Sequence, residues 1–223
     1  MRLANMEYKD MKNMENKKQE NKRQHMEYIN NLKAGDIIEF GSYPFEADGT
    51  EKPIEWIILE KYSDDTALLL SKYGLDEVRF DGSSDNWEKS EIRQWLNNEF
   101  YNKAFDEKER INIIESSIEC EKSVCFGNST YTVNDKIFLL SIEEAEKYFN
   151  SDEERKCCST PYTQRNKSVI GRIVGSCWWL RSPGRSQGGA ACVSDAGYVI
   201  SYNNVYFDGN AVRMAFKINL KNL

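Results

Sequence analysis

The last fifth of this chain alternates short apolar runs with clusters of Gly, Asn, Ser and Asp. The runs are residues 178–180, 190–193, 198–200 and 212–218. That rhythm predicts short antiparallel strands joined by tight turns. Upstream, residues 36–40 read as a strand, Tyr43-Pro44 as a turn, and residues 54–61 and 66–71 as a hairpin across Ser63-Asp64-Asp65. Residues 73–86 read as an irregular loop. Residues 88–101 carry Ile92, Trp95, Leu96 and Phe100 at helical spacing, which places Trp95 on a core stripe. A short helix over 106–110 leads to a strand at 111–118, and a further strand is expected at 136–140. Ser141 followed by Glu144 is a capping box opening a helix to Phe149. Residues 151–175 are polar and loop-like. The expected fold class is α+β, with two helices around a small twisted antiparallel sheet. Trp178, Leu180, Val193, Val212, Ala215 and Phe216 should be buried, because alternation turns one strand face inward. Arg181 is expected to pair with a buried carboxylate or carbonyl.

Residues 1–34 form a polar arm, helical or disordered, in which Met6, Met11, Met14, Met26, Ile29 and Leu32 make only a thin apolar stripe. The domain proper is expected over 35–223. No run approaches the length of a membrane-spanning helix, and the N-terminal residues lack the apolar core of a secretory signal, so no membrane insertion is expected. A cytoplasmic or phage-associated location fits that reading. The net charge of −6 lacks the basic footprint of a nucleic-acid binder. Six cysteines occur, none in a CxxC pair, and the single histidine, His25, lies in the arm. No metal or cofactor is therefore expected, and the thiols should be reduced and mostly buried.

Catalytic chemistry finds little to work with. One histidine outside the domain allows neither a Ser-His-Asp nor a Cys-His arrangement. The carboxylate pairs Asp64-Asp65, Glu143-Glu144 and Glu153-Glu154 fall in turns or on helix faces expected to be solvated. The chain is read as a non-enzyme. Composition points elsewhere. Lys, Glu, Gln, Met and Trp supply about a quarter of the chain, yet residues 188–212 contain none of them. Tyr, Ser, Asn, Asp, Gly and Phe take their place, a mixture typical of adaptable binding loops. The candidate ligand-binding residues are Ser194, Asp195, Tyr198, Ser201, Tyr202, Asn203, Asn204, Tyr206, Phe207, Asp208 and Asn210. They are expected to be mostly exposed and on one surface. Turn chemistry alone favours many of the same residue types.

The segments Gly35-Asp36-x-Ile38-x-Phe40-Gly41-Ser42-Tyr43-Pro44, Pro53-Ile54-Glu55-Trp56, Arg93-Gln94-Trp95-Leu96-Asn97 and Trp178-Trp179-Leu180-Arg181-Ser182-Pro183-Gly184 resemble a bacterial domain of unassigned function common in gut bacteria and their phages. The likeness covers about residues 35–220. It implies a C-type-lectin-like fold and a kinship with the variable proteins of diversity-generating retroelements, in which template adenines are copied with errors. Randomised AAC or AAT codons cannot yield Lys, Glu, Gln, Met or Trp, the types missing from 188–212. Gln187 places the start of any such stretch after it. Met214 stands where the resembling domains usually have Pro. The Glu-Pro-Asn and Trp-Asn-Asp motifs of calcium-dependent sugar-binding lectins are absent. The implied partner is a protein or cell-surface ligand. The alternatives are a fixed-specificity or structural member of the same fold, or a relative of the copper-dependent formylglycine-generating enzymes using Cys177 and Cys192.

Overall fold

Alternating apolar residues build the first sheet. The structure, a computed structural model, describes residues 2–123, 129–166 and 174–222, with side chains over 14–123, 129–166 and 175–221. β1 (Ile37–Pro44), β2 (Glu51–Lys61) and β3 (Thr66–Ser71) form an antiparallel meander. In β2, Ile54, Trp56 and Ile58 enter the core, and a register shift between Ile58 and Glu60 lets Leu59 be buried too. Asp64 closes the β2–β3 turn by accepting from Thr66 N at 3.1 Å and Thr66 Oγ1 at 2.7 Å. Asp65 then takes a φ of 64°, a conformation Asp tolerates better than most residues. β14 (Ala215–Asn219) lies between β3 and the two-residue β5 (Ile113–Ile114), giving the order β1-β2-β3-β14-β5.

The second sheet has the order β12-β11-β10-β13-β4, from β12 (Val199–Asn204), β11 (Gly189–Val193), β10 (Trp178–Pro183), β13 (Ala211–Val212) and β4 (Asp76–Glu77). Only β10 and β13 run parallel, through the pair Trp178 and Ala211. Two ribbons complete the strands, β6 (Ser116–Glu121) with β7 (Thr130–Asp135) and β8 (Cys157–Ser159) with β9 (Val174–Ser176). The architecture is thus mixed α+β with mainly antiparallel strands. α2 (Glu91–Trp95), a π turn over Leu96–Phe100 and α3 (Tyr101–Ala104) run on as one helix. Ile92, Leu96, Phe100 and Ala104 form its buried stripe, with Trp95 half-buried against the core. Asp106 and Glu109 cap α4 (Glu107–Arg110), and Ser141 and Glu144 cap α5 (Ile142–Tyr148), each as a reciprocal box.

The polar arm takes the helical of its two expected forms, α1 (Arg2–Asn31), and the end of that helix packs on the domain. Ile29 and Leu32 are buried in the common core, and the Lys61 ammonium donates to the carbonyls of Ile29 and Asn30 at the helix end. Other expectations are corrected. Residues 136–140 make one bridge, Phe138 to Ala215, rather than a strand. Asn97 explains this: its Oδ1 accepts from Lys136 N and Ile137 N, and its Nδ2 donates to Ile137 O, taking over the groups a neighbouring strand would pair. The expected loop over 151–175 contains α6 (Asp152–Arg155), β8 and β9. The expected loop over 73–86 contains β4, and the expected strand over 111–118 divides into β5 and β6. Tyr43-Pro44 ends β1 instead of forming a turn. Trp178, Leu180, Val193, Val212, Ala215 and Phe216 are all fully buried, but alternation is not the reason in β10 and β11, where every residue is buried on both faces.

Arg181 ties these layers together. Its Nη1 donates to Leu139 O at 2.7 Å, its Nε and Nη2 reach Glu119 O, and its fork grips the Glu144 carboxylate, with Nη2 to Oε1 at 2.9 Å. Arg181 N also donates to Leu140 O. One buried side chain therefore joins β10, β6, the 136–140 segment and the first turn of α5. Glu144 caps its helix and neutralises Arg181 at once, so it is not the solvated helix-face residue its sequence suggests. Arg181→Ala should lower stability by about 3 kcal/mol or more, since it strands Glu144 and the carbonyls of Leu139 and Glu119. Urea denaturation measures this, and a loss under about 1 kcal/mol would contradict the role given to Arg181.

Candidate binding surface

β12 is an edge strand, and its geometry is set by a bulge. Ala190 pairs with Asn203 and Cys192 with Ile200, so Ser201 and Tyr202 together oppose the single residue Ala191. A bulge of this kind re-aims side chains, and Tyr202 stands 71% exposed. The β11–β12 turn is locked from beneath. Ser194 N donates to Tyr198 O, Tyr198 N donates to Ser194 Oγ, and Gly197 N donates to Ser194 O. Gly197 has a φ of +89°, and a Cβ there would lie 1.8 Å from Asp152 O of α6. Arg155 of the same helix donates to Gly197 O at 3.1 Å and to Phe149 O, while Trp178 donates its indole N–H to Arg155 O. A short helix thus fixes the turn that aims the strand.

After β12 the chain is pinned by its backbone. Val205 is buried, its N–H donates to Gly188 O, and its carbonyl accepts from Asp81 N at 3.0 Å. Just beyond Val205, Tyr206, Phe207 and Asp208 are exposed. A Cβ on Gly209 would meet the Phe207 ring at 2.5 Å, so the glycine makes room for that ring. Tyr198, Tyr202, Tyr206 and Phe207 are 60%, 71%, 64% and 46% exposed. They are half of the eight large hydrophobic side chains that stand exposed among the described residues, gathered within ten positions. Scattered exposure needs no explanation, but concentration within ten positions does.

The eleven candidate residues do not share one environment. Asp195, Tyr198, Tyr202, Tyr206, Phe207 and Asp208 are exposed, and Ser201, Asn203 and Asn204 are half-buried. Ser194 and Asn210 are buried, which removes them from any contact surface. Ser194 is consumed by the turn. Asn210 is drawn inward because the next two residues, Ala211 and Val212, form the interior strand β13. The Asn210 amide lies beside the Cys192 thiol. Asn203 turns its amide inward and donates to Cys192 Sγ at 3.4 Å. Burial pushes the Cys192 thiol up to about 11, with Asn203 opposing the shift. Cys120 and Cys157 are also buried, Cys177 is half-buried, Cys158 is exposed, and Cys125 lies outside the described residues. Charged groups stand around the aromatic residues, with Lys156 facing Tyr198 and Asp195, and Arg79 near Asp208.

Residues 64–220 match the family described as "Domain of unknown function (DUF6273)". The chain belongs to that family. No curated protein and no solved structure matches it. The DUF6273 match spans both the buried Trp178-Trp179 strand and the exposed aromatic edge, so scaffold and surface fall within one family unit. No helix among the described residues is long and apolar enough to cross a membrane.

Gly197→Ala should cost about 2 kcal/mol or more, because it combines a left-handed backbone with a collision against α6. Amide exchange should quicken first across the β11–β12 turn. Unchanged exchange there would show that α6 does not hold the turn.

Proposed function

We propose that this DUF6273 member is a non-enzymatic protein-binding module with a C-type-lectin-like fold, whose edge strand β12 and following loop form a retroelement-diversified contact surface. The observation that carries the reading is a coincidence. The stretch lacking Lys, Glu, Gln, Met and Trp, residues 188–212, is the stretch that exposes Tyr198, Tyr202, Tyr206 and Phe207. A turn-rich hairpin explains Gly, Asn and Asp at its bends. It does not explain four exposed aromatic side chains within ten positions, on the edge strand and the turns that flank it. Tyr and Phe supply broad contact area at low entropic cost, and Ser201 and Asp195 add adaptable polar contacts. Aromatic residues bordered by Lys156, Arg79 and Asp208 match the centre-and-rim composition of protein interfaces. Two mainly antiparallel sheets with capped helices are compatible with the lectin-like fold.

The scaffold residues beneath support the same division of labour. Gly197, Val205 and the buried Ser194 fix the backbone through turn, burial and main-chain bonds, so outward side chains can change without moving it. Sequencing the gene and its surroundings tests the proposal. A near-copy of the segment encoding roughly residues 178–220 should lie beside a reverse transcriptase gene, with differences between copies confined to template adenines. Such differences should alter codons for Tyr198, Tyr202, Tyr206 and Phe207 and spare those for Gly188 and Val212. A locus with neither feature favours a fixed-specificity or structural member of the family.

A further inference from the structure

A cleft of about 310 Å³ opens between the first sheet, α5 and β6. Its volume lies at the lower end of the small-molecule range. Charges of both signs line it, and only two of them neutralise each other. Arg181 and Glu144 form their ion pair at its floor. Glu119, Glu121 and Glu143 also line the cleft, stand exposed, and form no ion pair among the described residues. Lys217 of β14 lines it as well. That side chain is half-buried, and among the described residues its ammonium has no carboxylate partner, only the Tyr62 ring 5.3 Å away.

Sheet register keeps that ammonium apart from the acid beside it. Leu68 of β3 pairs with Lys217 of β14 on one side and with Glu60 of β2 on the other. Two strand spacings therefore separate the charged residues, about 10 Å. Glu60 is also engaged, accepting from Tyr148 Oη at 2.6 Å and from Lys147 Nζ at 3.0 Å. Setting the Arg181–Glu144 pair aside, one cation stands against three carboxylates, which leaves the cleft with a net charge of −2. A ligand that answers this lining carries an anionic group for Lys217 and two cationic groups for the carboxylates. Tyr62 and Tyr148 are half-buried at the cleft and offer ring surface to the chain between those groups.

We propose that this cleft binds a free dibasic amino acid, of the lysine or arginine type. Lys217 takes the α-carboxylate in a charge-assisted hydrogen bond. Glu119 and Glu143 take the α-ammonium and the side-chain cation, and Tyr62 and Tyr148 flank the methylene chain. Arg181 and Glu144 remain a structural pair. Every residue lining the cleft lies outside 188–212, so the site is kept whatever the aromatic edge displays, and it does not depend on the function proposed above.

NMR titration of the full chain with L-lysine and cadaverine, and with L-arginine and agmatine, tests this, because each amine lacks only the carboxylate of its amino acid. At least one amino acid should give saturable shifts at the amides of Glu119, Glu143 and Lys217. Its amine should bind at least about tenfold more weakly. Lys217→Met should weaken the amino acid by about tenfold and leave the amine within about twofold. Glu143→Gln should weaken both several-fold. The comparison of amino acid and amine in the unaltered chain decides the Lys217 contact if Lys217→Met fails to fold. No saturable shift with either amino acid at millimolar concentration, an amine that binds as tightly as its amino acid, or equal losses of both in Lys217→Met would overturn the proposal. So would calcium chloride producing the same shifts at lower concentration, which would make the carboxylates a metal site.

Discussion

The Arg181 guanidinium is the interaction on which the rest of this structure depends. It sits on β10, a strand buried on both faces, and its donors go to Glu144, Leu139 O and Glu119 O. A buried cation is tolerable only when its charge and its hydrogen bonds are met together. Meeting them here recruits the start of α5, the irregular 136–140 segment and the β6–β7 ribbon to one point. Arg213 shows the contrast. It is equally buried, but its Nε reaches Ser71 O, its Nη1 has no partner among the described residues, and the rings of Trp178 and Phe149 flank it at 5.1 and 5.3 Å. Burial accordingly pulls its ionisation below the ordinary arginine range. One arginine is bound by a carboxylate and the other by aromatic faces, and both lie where the two sheets meet the helices.

Parts of this arrangement could be read in the sequence because local chemistry and tertiary context agree there. The β2–β3 hairpin follows from Ile54, Trp56 and Ile58 in alternation and from Asp64-Asp65 at the bend. The α5 start follows from Ser141 and Glu144. Elements of two or three residues, such as β4, β8 and β13, carry no periodicity and exist only because a partner strand lies beside them. Residues 136–140 have the composition of a strand, but the side chain of Asn97 answers their backbone groups, a contact forty positions away that no local pattern announces.

The candidate surface was legible in kind more than in membership. The Tyr and Phe positions could be singled out because aromatic residues between turn formers are unusual in a solvated loop. Ser194 and Asn210 could not be separated from their exposed neighbours, since small polar residues look alike whether they close a turn, face water or plunge toward an interior strand. Tertiary neighbours decide such cases, as they do for α1, whose polar sequence reads as a free arm until Ile29 and Leu32 meet the core.

β14 makes the first sheet depend on residues that lie beyond the aromatic stretch. The strand is translated after residues 188–212, yet it occupies an interior place in the first sheet, between β3 and β5. The sheet therefore cannot close on the ribosome until the whole preceding stretch has been read in frame. A stop codon or a frameshift anywhere in 188–212 deletes β14 and leaves β3 with an open edge and Phe216 and Ile218 missing from the core. Substitutions that merely exchange one outward side chain for another leave that strand intact. Loss of the residues after 212 therefore removes an interior strand of the first sheet, whereas exchange of an outward side chain before them leaves that sheet whole.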